Sequence, residues 1–132
     1  MFSVETRTVT GQVTALGSAG SFTLVVDRPS EAGGGGKGFN GGQLLYLAVA
    51  GCISNDLFRE AARFGVELDS VRVTVEGDFS GEPPVSDAIS YDVELSGRGD
   101  VDALVREVDR IAEIPNTLRQ GTPVSLRAIR IV

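Results

Sequence analysis

The sequence predicts a mixed α+β fold, and three patterns carry that expectation. Short stretches alternate between apolar and polar residues, one long apolar helix occupies the middle of the chain, and a later helix carries a single apolar stripe. Together they predict the order β-β-β-α-β-β-α-α-β, with the long helix buried against antiparallel sheet. The chain has 132 residues, shows no internal repeat and reads as a single domain over residues 1–132.

Residues 2–16 and 21–27 read as strands. Phe22, Leu24 and Val26 alternate with Ser21, Thr23 and Val25, and the stretch from Gly17 to Gly20 is expected to supply a turn. A glycine-rich stretch follows, Ala32-Gly33-Gly34-Gly35-Gly36-Lys37-Gly38. It has the look of a phosphate-binding loop, but the spacing fails. Position 31 is Glu, and Gly38 stands after Lys37 where Ser or Thr is required. The expectation is a flexible connector.

From Asn40 to Phe64 the pattern is helical, with Asn40 as N-cap and Gly65 as C-terminal stop. Its first half, Leu44 to Ala50, is apolar all round, and such a helix is buried on every face. In a chain this small, that means a helix wrapped by sheet or one buried against a second subunit. Val71, Val73 and Val75 then alternate with polar residues, as do Ile89, Tyr91, Val93 and Leu95, so each strand has one wet face. Gly81-Glu82-Pro83-Pro84 between them reads as a loop. Asp100 caps a second helix whose stripe is Val101, Leu104, Val105, Val108 and Ile111. Pro115 ends or restarts it, with a helical turn through Leu118. Gly121 and Pro123 lead into a final strand from Val124 to Ile131.

Composition narrows the function classes. The formal net charge is −6, and the run Arg127-Ala128-Ile129-Arg130 reads as the wet face of a strand, so neither nucleic acid nor a membrane surface is an expected partner. The longest apolar run, Leu44 to Ile53, is about ten residues, too short to span a bilayer. Met1 to Thr10 lacks the apolar region of a targeting peptide. With one cysteine there is no internal disulfide, and the expected location is the cytoplasm. Histidine is absent, which removes Ser-His-Asp and Cys-His schemes and histidine metal sites. No cofactor or metal is expected. Glu82 and Asp87 lie in a loop without a partner base and read as solvated.

Cys52 is the remaining candidate for chemistry. The thiolate is the nucleophile, so a reactive cysteine needs electrostatic support. Cys52 is mid-helix, where the helix N-terminus gives little help. Its helical neighbours are Ala48, Val49, Asn55 and Asp56, and Asp56 has the wrong sign to favour a thiolate. Arg59 and Arg63 fall on the same face, about 20° to either side. Arg59 can reach back toward the sulfur or pair with Asp56. A buried cysteine is also a common small hydrophobe.

The stretch Phe39-Asn40-Gly41-Gly42-Gln43-Leu44-Leu45-Tyr46-Leu47-Ala48-Val49-Ala50-Gly51-Cys52 resembles the helix bearing the reactive cysteine in the OsmC / Ohr family, the osmotically inducible and organic hydroperoxide resistance proteins. Gly65 to Asp78 resembles that family's next strand, and Asn116 to Val124 its near-C-terminal turn. The resemblance implies an OsmC-like fold in an intertwined homodimer, with central helices packed between sheets drawn from both chains and the active sites at the interface.

It also implies a chemistry whose parts are incomplete here. The peroxidase members use two cysteines, an arginine and a glutamate. The first cysteine matches Cys52. By the same register the second falls at Ala112, and the glutamate falls where this chain has Gly42 and Gln43. The arginine belongs near Thr10-Gly11-Gln12-Val13, where none stands, and Arg7 or Arg28 are the substitutes within the sequence. Three readings follow. The first is a one-cysteine thiol peroxidase that reduces organic hydroperoxides through Cys52, with Arg59 as thiolate support, Gln43 in the glutamate region and an external thiol as reductant. The second is a non-enzymatic dimer binding a small hydrophobic ligand at the subunit interface. The third is a structural cysteine in a dimer core.

Overall fold

The computed structural model describes all residues from Met1 to Val132. They form two compact units, Met1–Leu47 and Ala48–Val132. The first holds a three-stranded antiparallel sheet, β1 (Glu5–Thr8), β2 (Ala15–Ala19) and β3 (Phe22–Val26), in that spatial order. The segment 2–16 thus contains one whole strand and the start of the next. β2 runs through Gly17 and Ser18, where a turn was expected. The turn is Gly20-Ser21, because Ala19 already pairs with Phe22 and Gly20 takes a φ of 60°, which suits a tight hairpin.

After β3 the glycine-rich stretch loops out and returns. Phe39 rejoins β3 beside Val26, with the Phe39 amide donating to the Val25 carbonyl at 3.0 Å and the Asp27 amide to the Phe39 carbonyl at 2.9 Å. This delivers the chain to helix α1 (Gly41–Glu60). Asn40 is its N-cap as expected, and Gln43 completes a capping box. The Gln43 amide donates to Asn40 Oδ1 at 2.8 Å, and the Asn40 amide donates to Gln43 Oε1 at 2.9 Å. α1 tightens into a 3₁₀ turn, Ala61–Phe64, and stops at Gly65 in the left-handed conformation, φ 63°. Within this chain the apolar first half of α1 is covered only in part, since Leu47 is 49% exposed.

The second unit holds the core. β4 (Glu67–Glu76) and β7 (Ser90–Arg98) pair antiparallel over almost their whole length, each with a half-buried apolar face and a wet face as the alternation predicts. Asp69 is the extra residue of a bulge between the Leu68–Gly97 and Ser70–Ser96 pairs. The two strands are joined through a small hairpin, β5 (Phe79–Ser80) and β6 (Val85–Ser86), with residues 81–84 as its turn. Helix α2 (Val101–Ile111) is capped by Asp100, whose carboxylate accepts from the Ala103 amide at 3.2 Å. Leu104 and Val108 from its stripe are buried with Ile53, Leu57, Ala61, Val66 and Ala112. Chain direction breaks at Ala112, and α3 (Glu113–Gln120) begins two residues before Pro115. Pro115 sits in the first turn, where its missing N–H costs no helical hydrogen bond.

The final strand does not form. Residues 122–132 carry no strand in this structure, and Val124, Leu126, Ile129 and Ile131 are exposed. The segment expected to form it, Val124 to Ile131, pairs with no strand of this chain. The wet-face reading of Arg127 and Arg130 fails with it, because the segment has no buried face.

Candidate functional site

Cys52 lies on α1 two turns before its 3₁₀ end, half-buried against the core of the second unit. The helical repeat that sends Ile53 and Leu57 fully inward leaves Cys52 at the edge of the buried stripe. One turn on, Asp56 is buried, with 6% of its surface exposed. Its Oδ2 is 4.0 Å from Cys52 Sγ, a long contact in which the thiol donates to the carboxylate.

A buried carboxylate needs a partner. Asp56 has one in Arg59, whose Nη1 is 3.1 Å from Asp56 Oδ1. The same guanidinium donates through Nε to Glu60 Oε1 at 3.4 Å. Arg59 is therefore occupied by two carboxylates, and the group that faces the sulfur is the acid. Arg63 is held by Glu60 at 2.8 Å, which keeps the Glu60 carboxyl below its ordinary range. The structure thus brings Cys52, Asp56 and Arg59 together as a chain of contacts. Gln43 is placed elsewhere on α1, in the capping box at its N-terminus.

The remaining positions implied by the resemblance fall as follows. Ala112 is fully buried in the same cluster against which Cys52 packs. Arg7 lies beside Glu5 at 3.9 Å, both well exposed. Arg28 contributes its backbone amide to Asp27 at 2.8 Å. The turn from Val9 to Gln12 does meet a cation: Lys37 Nζ donates to Gln12 Oε1 at 3.1 Å. Asp87 accepts from the Ser80 hydroxyl at 2.6 Å. No group of three or more Cys, Asp or Glu side chains is arranged to hold a metal ion, and no helix is long and apolar enough to cross a membrane.

One recess opens beside this part of the second unit. It has a volume of about 230 Å³ and is lined by Val49, Ile89, Pro115 and Leu118 together with Tyr91 and Arg119. Its polar wall is a buttressed triad. The Tyr91 hydroxyl donates to Asp109 Oδ1 at 2.5 Å, and Arg119 Nη2 donates to the same oxygen at 2.8 Å. Burial, with the adjoining Asp109 carboxylate, pushes the Tyr91 phenol above its ordinary range. The Tyr91 hydrogen bond and Arg119 hold Asp109 below its own. Sequence reasoning missed this triad, because β7, α2 and α3 each contribute one member and no local spacing links them. It also missed the buried Asp27, although an Asp directly before a glycine-rich loop is a visible signal.

The family profile described as "OsmC-like protein" matches residues 34–127, which include Cys52, Gln43, Arg59 and Ala112. The chain belongs to the OsmC-like family. Its fold agrees with solved structures. An OsmC-like protein from Mycoplasma pneumoniae superposes with a TM-score of 0.79 at 18% identity, covering 92% of this chain and 88% of that one. A Legionella pneumophila structure described as an organic hydroperoxide resistance protein OsmC superposes with a TM-score of 0.64 at 20% identity, covering 90% and 89%. An OsmC-like hydroperoxide resistance protein from Jannaschia gives a TM-score of 0.58 at 15% identity, covering 96% and 90%. At these identities the likeness is one of fold. Curated proteins give no significant match. The OsmC-like chain thus has the mixed α+β architecture that its pattern and its resemblance both predicted.

Proposed function

We propose that this OsmC-like chain is a cytoplasmic stress-response protein that works as a homodimer and reduces organic hydroperoxides through Cys52, with an external thiol as reductant. The observation that carries the reading is the position of the only cysteine. It lies half-buried on α1 inside the segment matched by the family, packed on the cluster that holds Ala112. Two structural relatives are described as hydroperoxide resistance proteins.

The chemistry needs only groups the chain has, plus the thiol. The Cys52 thiolate attacks the terminal peroxide oxygen. An S–O bond forms, the O–O bond breaks, and the departing alkoxide takes a proton to leave as alcohol. Cys52 is then a sulfenic acid. With Ala112 where a second cysteine would stand, a first external thiol condenses with it, forming a mixed disulfide and releasing water. A second thiol displaces the first as a disulfide and returns Cys52 to the thiol.

The homodimer is supported by surfaces this chain leaves uncovered. Val124, Leu126, Ile129 and Ile131 are exposed along an unpaired segment, and Leu47 stays half-exposed on α1. Edges and apolar faces of this kind are ordinarily covered by another strand or a second copy.

The test is consumption of cumene hydroperoxide with a monothiol reductant, read beside intact mass. Wild type should turn over and gain one oxygen when the thiol is withheld, and Cys52→Ser should do neither. Equal consumption by both proteins refutes the reading. A second reading, a non-enzymatic binder of a small hydrophobic ligand, is favoured by one observation: Arg59 is held by Asp56 and Glu60. It predicts a Cys52 that resists alkylation and a melting temperature that rises with an apolar ligand.

A further inference from the structure

The glycine-rich loop has the composition of an anion-binding loop, and its backbone is folded as one. Three amide groups and a hydroxyl converge on a single point. The Arg28 amide donates at 2.8 Å and the Gly35 amide at 3.0 Å to one oxygen, Oδ1 of Asp27. The Thr14 hydroxyl donates at 2.8 Å and the Lys37 amide at 3.2 Å to the other, Oδ2. Both oxygens of the carboxylate are saturated, and Asp27 is only 5% exposed. Such convergent amides form a nest for an oxyanion.

The glycines are required by how closely the chain wraps this group. A Cβ on Gly35 would stand 2.8 Å from Asp27 Oδ2 and 3.1 Å from Thr14 Oγ1. A Cβ on Gly34 would stand 2.1 Å from the Arg28 carbonyl oxygen. The Gly36 amide closes the ring on the Arg28 carbonyl at 2.9 Å. The expected flexible connector is therefore a closed ring around a carboxylate.

We propose that loop 28–38 is an oxyanion nest permanently occupied by the chain's own Asp27 carboxylate, which fixes the approach to α1 and presents the Lys37 ammonium to Gln12, and that removal of this side chain converts the loop into a receptor for a small free carboxylate. The site has its anion built in, so it takes no nucleotide phosphate in the intact protein. The Gly35 amide, followed by the Thr14 hydroxyl and the Arg28 and Lys37 amides, holds the Asp27 carboxyl down at about 2, as a nest of donors should. This inference stands apart from the Cys52 reading.

Asp27→Gly deletes the equivalent of one acetate molecule and leaves the donors in place. Its melting temperature should fall, and sodium acetate at about 0.2 M should raise it by roughly 2 °C over equal sodium chloride. Wild type should show no difference between the two salts. Equal effects of acetate and chloride on Asp27→Gly, or a variant that melts like wild type, overturn the proposal. Should that variant not fold, hydrogen exchange of the wild-type protein decides. The Gly35 and Lys37 amides should be protected as well as the amides of β3, and exchange at the rate of an open loop overturns the proposal equally.

Discussion

Tyr91→Phe removes one atom from the triad, and the structure fixes both the size and the pH dependence of the loss. The hydroxyl donates to a carboxylate at 2.5 Å, a charge-assisted bond. Bonds of that kind contribute about 1.5–3 kcal/mol when dry. Asp109 is 48% exposed at its side chain and shared with Arg119, so solvent screening brings the expected loss down to about 1 kcal/mol. For a chain of this length that lowers Tm by about 4 °C. The phenol is raised in the folded state, so its contribution is complete below the unfolded value of about 10 and is lost as the pH climbs above it. There the unfolded tyrosine ionises while the folded one does not, and wild type loses about 1.4 kcal/mol per pH unit relative to Tyr91→Phe. The stabilities of the two proteins should therefore cross between about pH 10 and 11. Urea denaturation of both proteins at steps from pH 8 to about 11.5 measures this. A constant offset across the range, or no offset at about pH 8, refutes the argument that Tyr91 is a neutral donor to Asp109.

The remaining predictions concern the core, the cap, the cysteine and the tail. Leu104→Ala opens a fully buried position and should cost about 3 kcal/mol by chemical denaturation, where a loss below about 1 kcal/mol would contradict the packing of α2. Asn40→Ala should cost about 1 kcal/mol, whereas Gln43→Glu keeps the reciprocal cap and should melt as wild type does. Asp56→Asn takes the negative charge from beside the sulfur and leaves Arg59 with Glu60 as its remaining carboxylate, so iodoacetamide should modify Cys52 several-fold faster at neutral pH; an unchanged rate means the acid does not govern the thiol. If the proposed homodimer forms through the tail, ending the chain at Gly121 should leave a monomer of about half the wild-type mass in light scattering; a wild type that is monomeric, or a shortened chain that stays dimeric, refutes that role for the tail.

Much of the fold was legible because its elements are specified locally. Asn40 and Gln43 form a cap from residues three apart, Gly65 ends a helix by its own backbone freedom, and Asp100 reaches only to Ala103. The alternation of Val71, Val73 and Val75 needs no partner to be read. Failures came where a partner decides the outcome. Gly17 reads as a turn residue, yet pairing with Leu24 draws it into β2. Val124 to Ile131 reads as a strand after Gly121 and Pro123, but a strand requires a neighbour, and this chain supplies none.

The candidate site divides along the same line. Helical spacing was enough to put Asp56 and Arg59 on the face of Cys52, and both pairings open to Arg59 were visible. What decides between them is burial. Asp56 is enclosed, and an enclosed carboxylate costs far more to leave unpaired than a half-buried neutral thiol, so the arginine goes to the acid. Sequence spacing carries no measure of that enclosure, because burial depends on elements distant in sequence, as when Leu104 and Val108 of α2 join Ile53 and Leu57 of α1 in the core. The same logic ranks the routes to a more reactive Cys52. A cation added to α1 competes with Arg59 and Arg63 for the carboxylates of Asp56 and Glu60, whereas neutralising Asp56 removes one of the two carboxylates that hold Arg59. The Asp56→Asn variant is therefore the sharpest test of the proposed role of Cys52, because the acid is the group in contact with the sulfur.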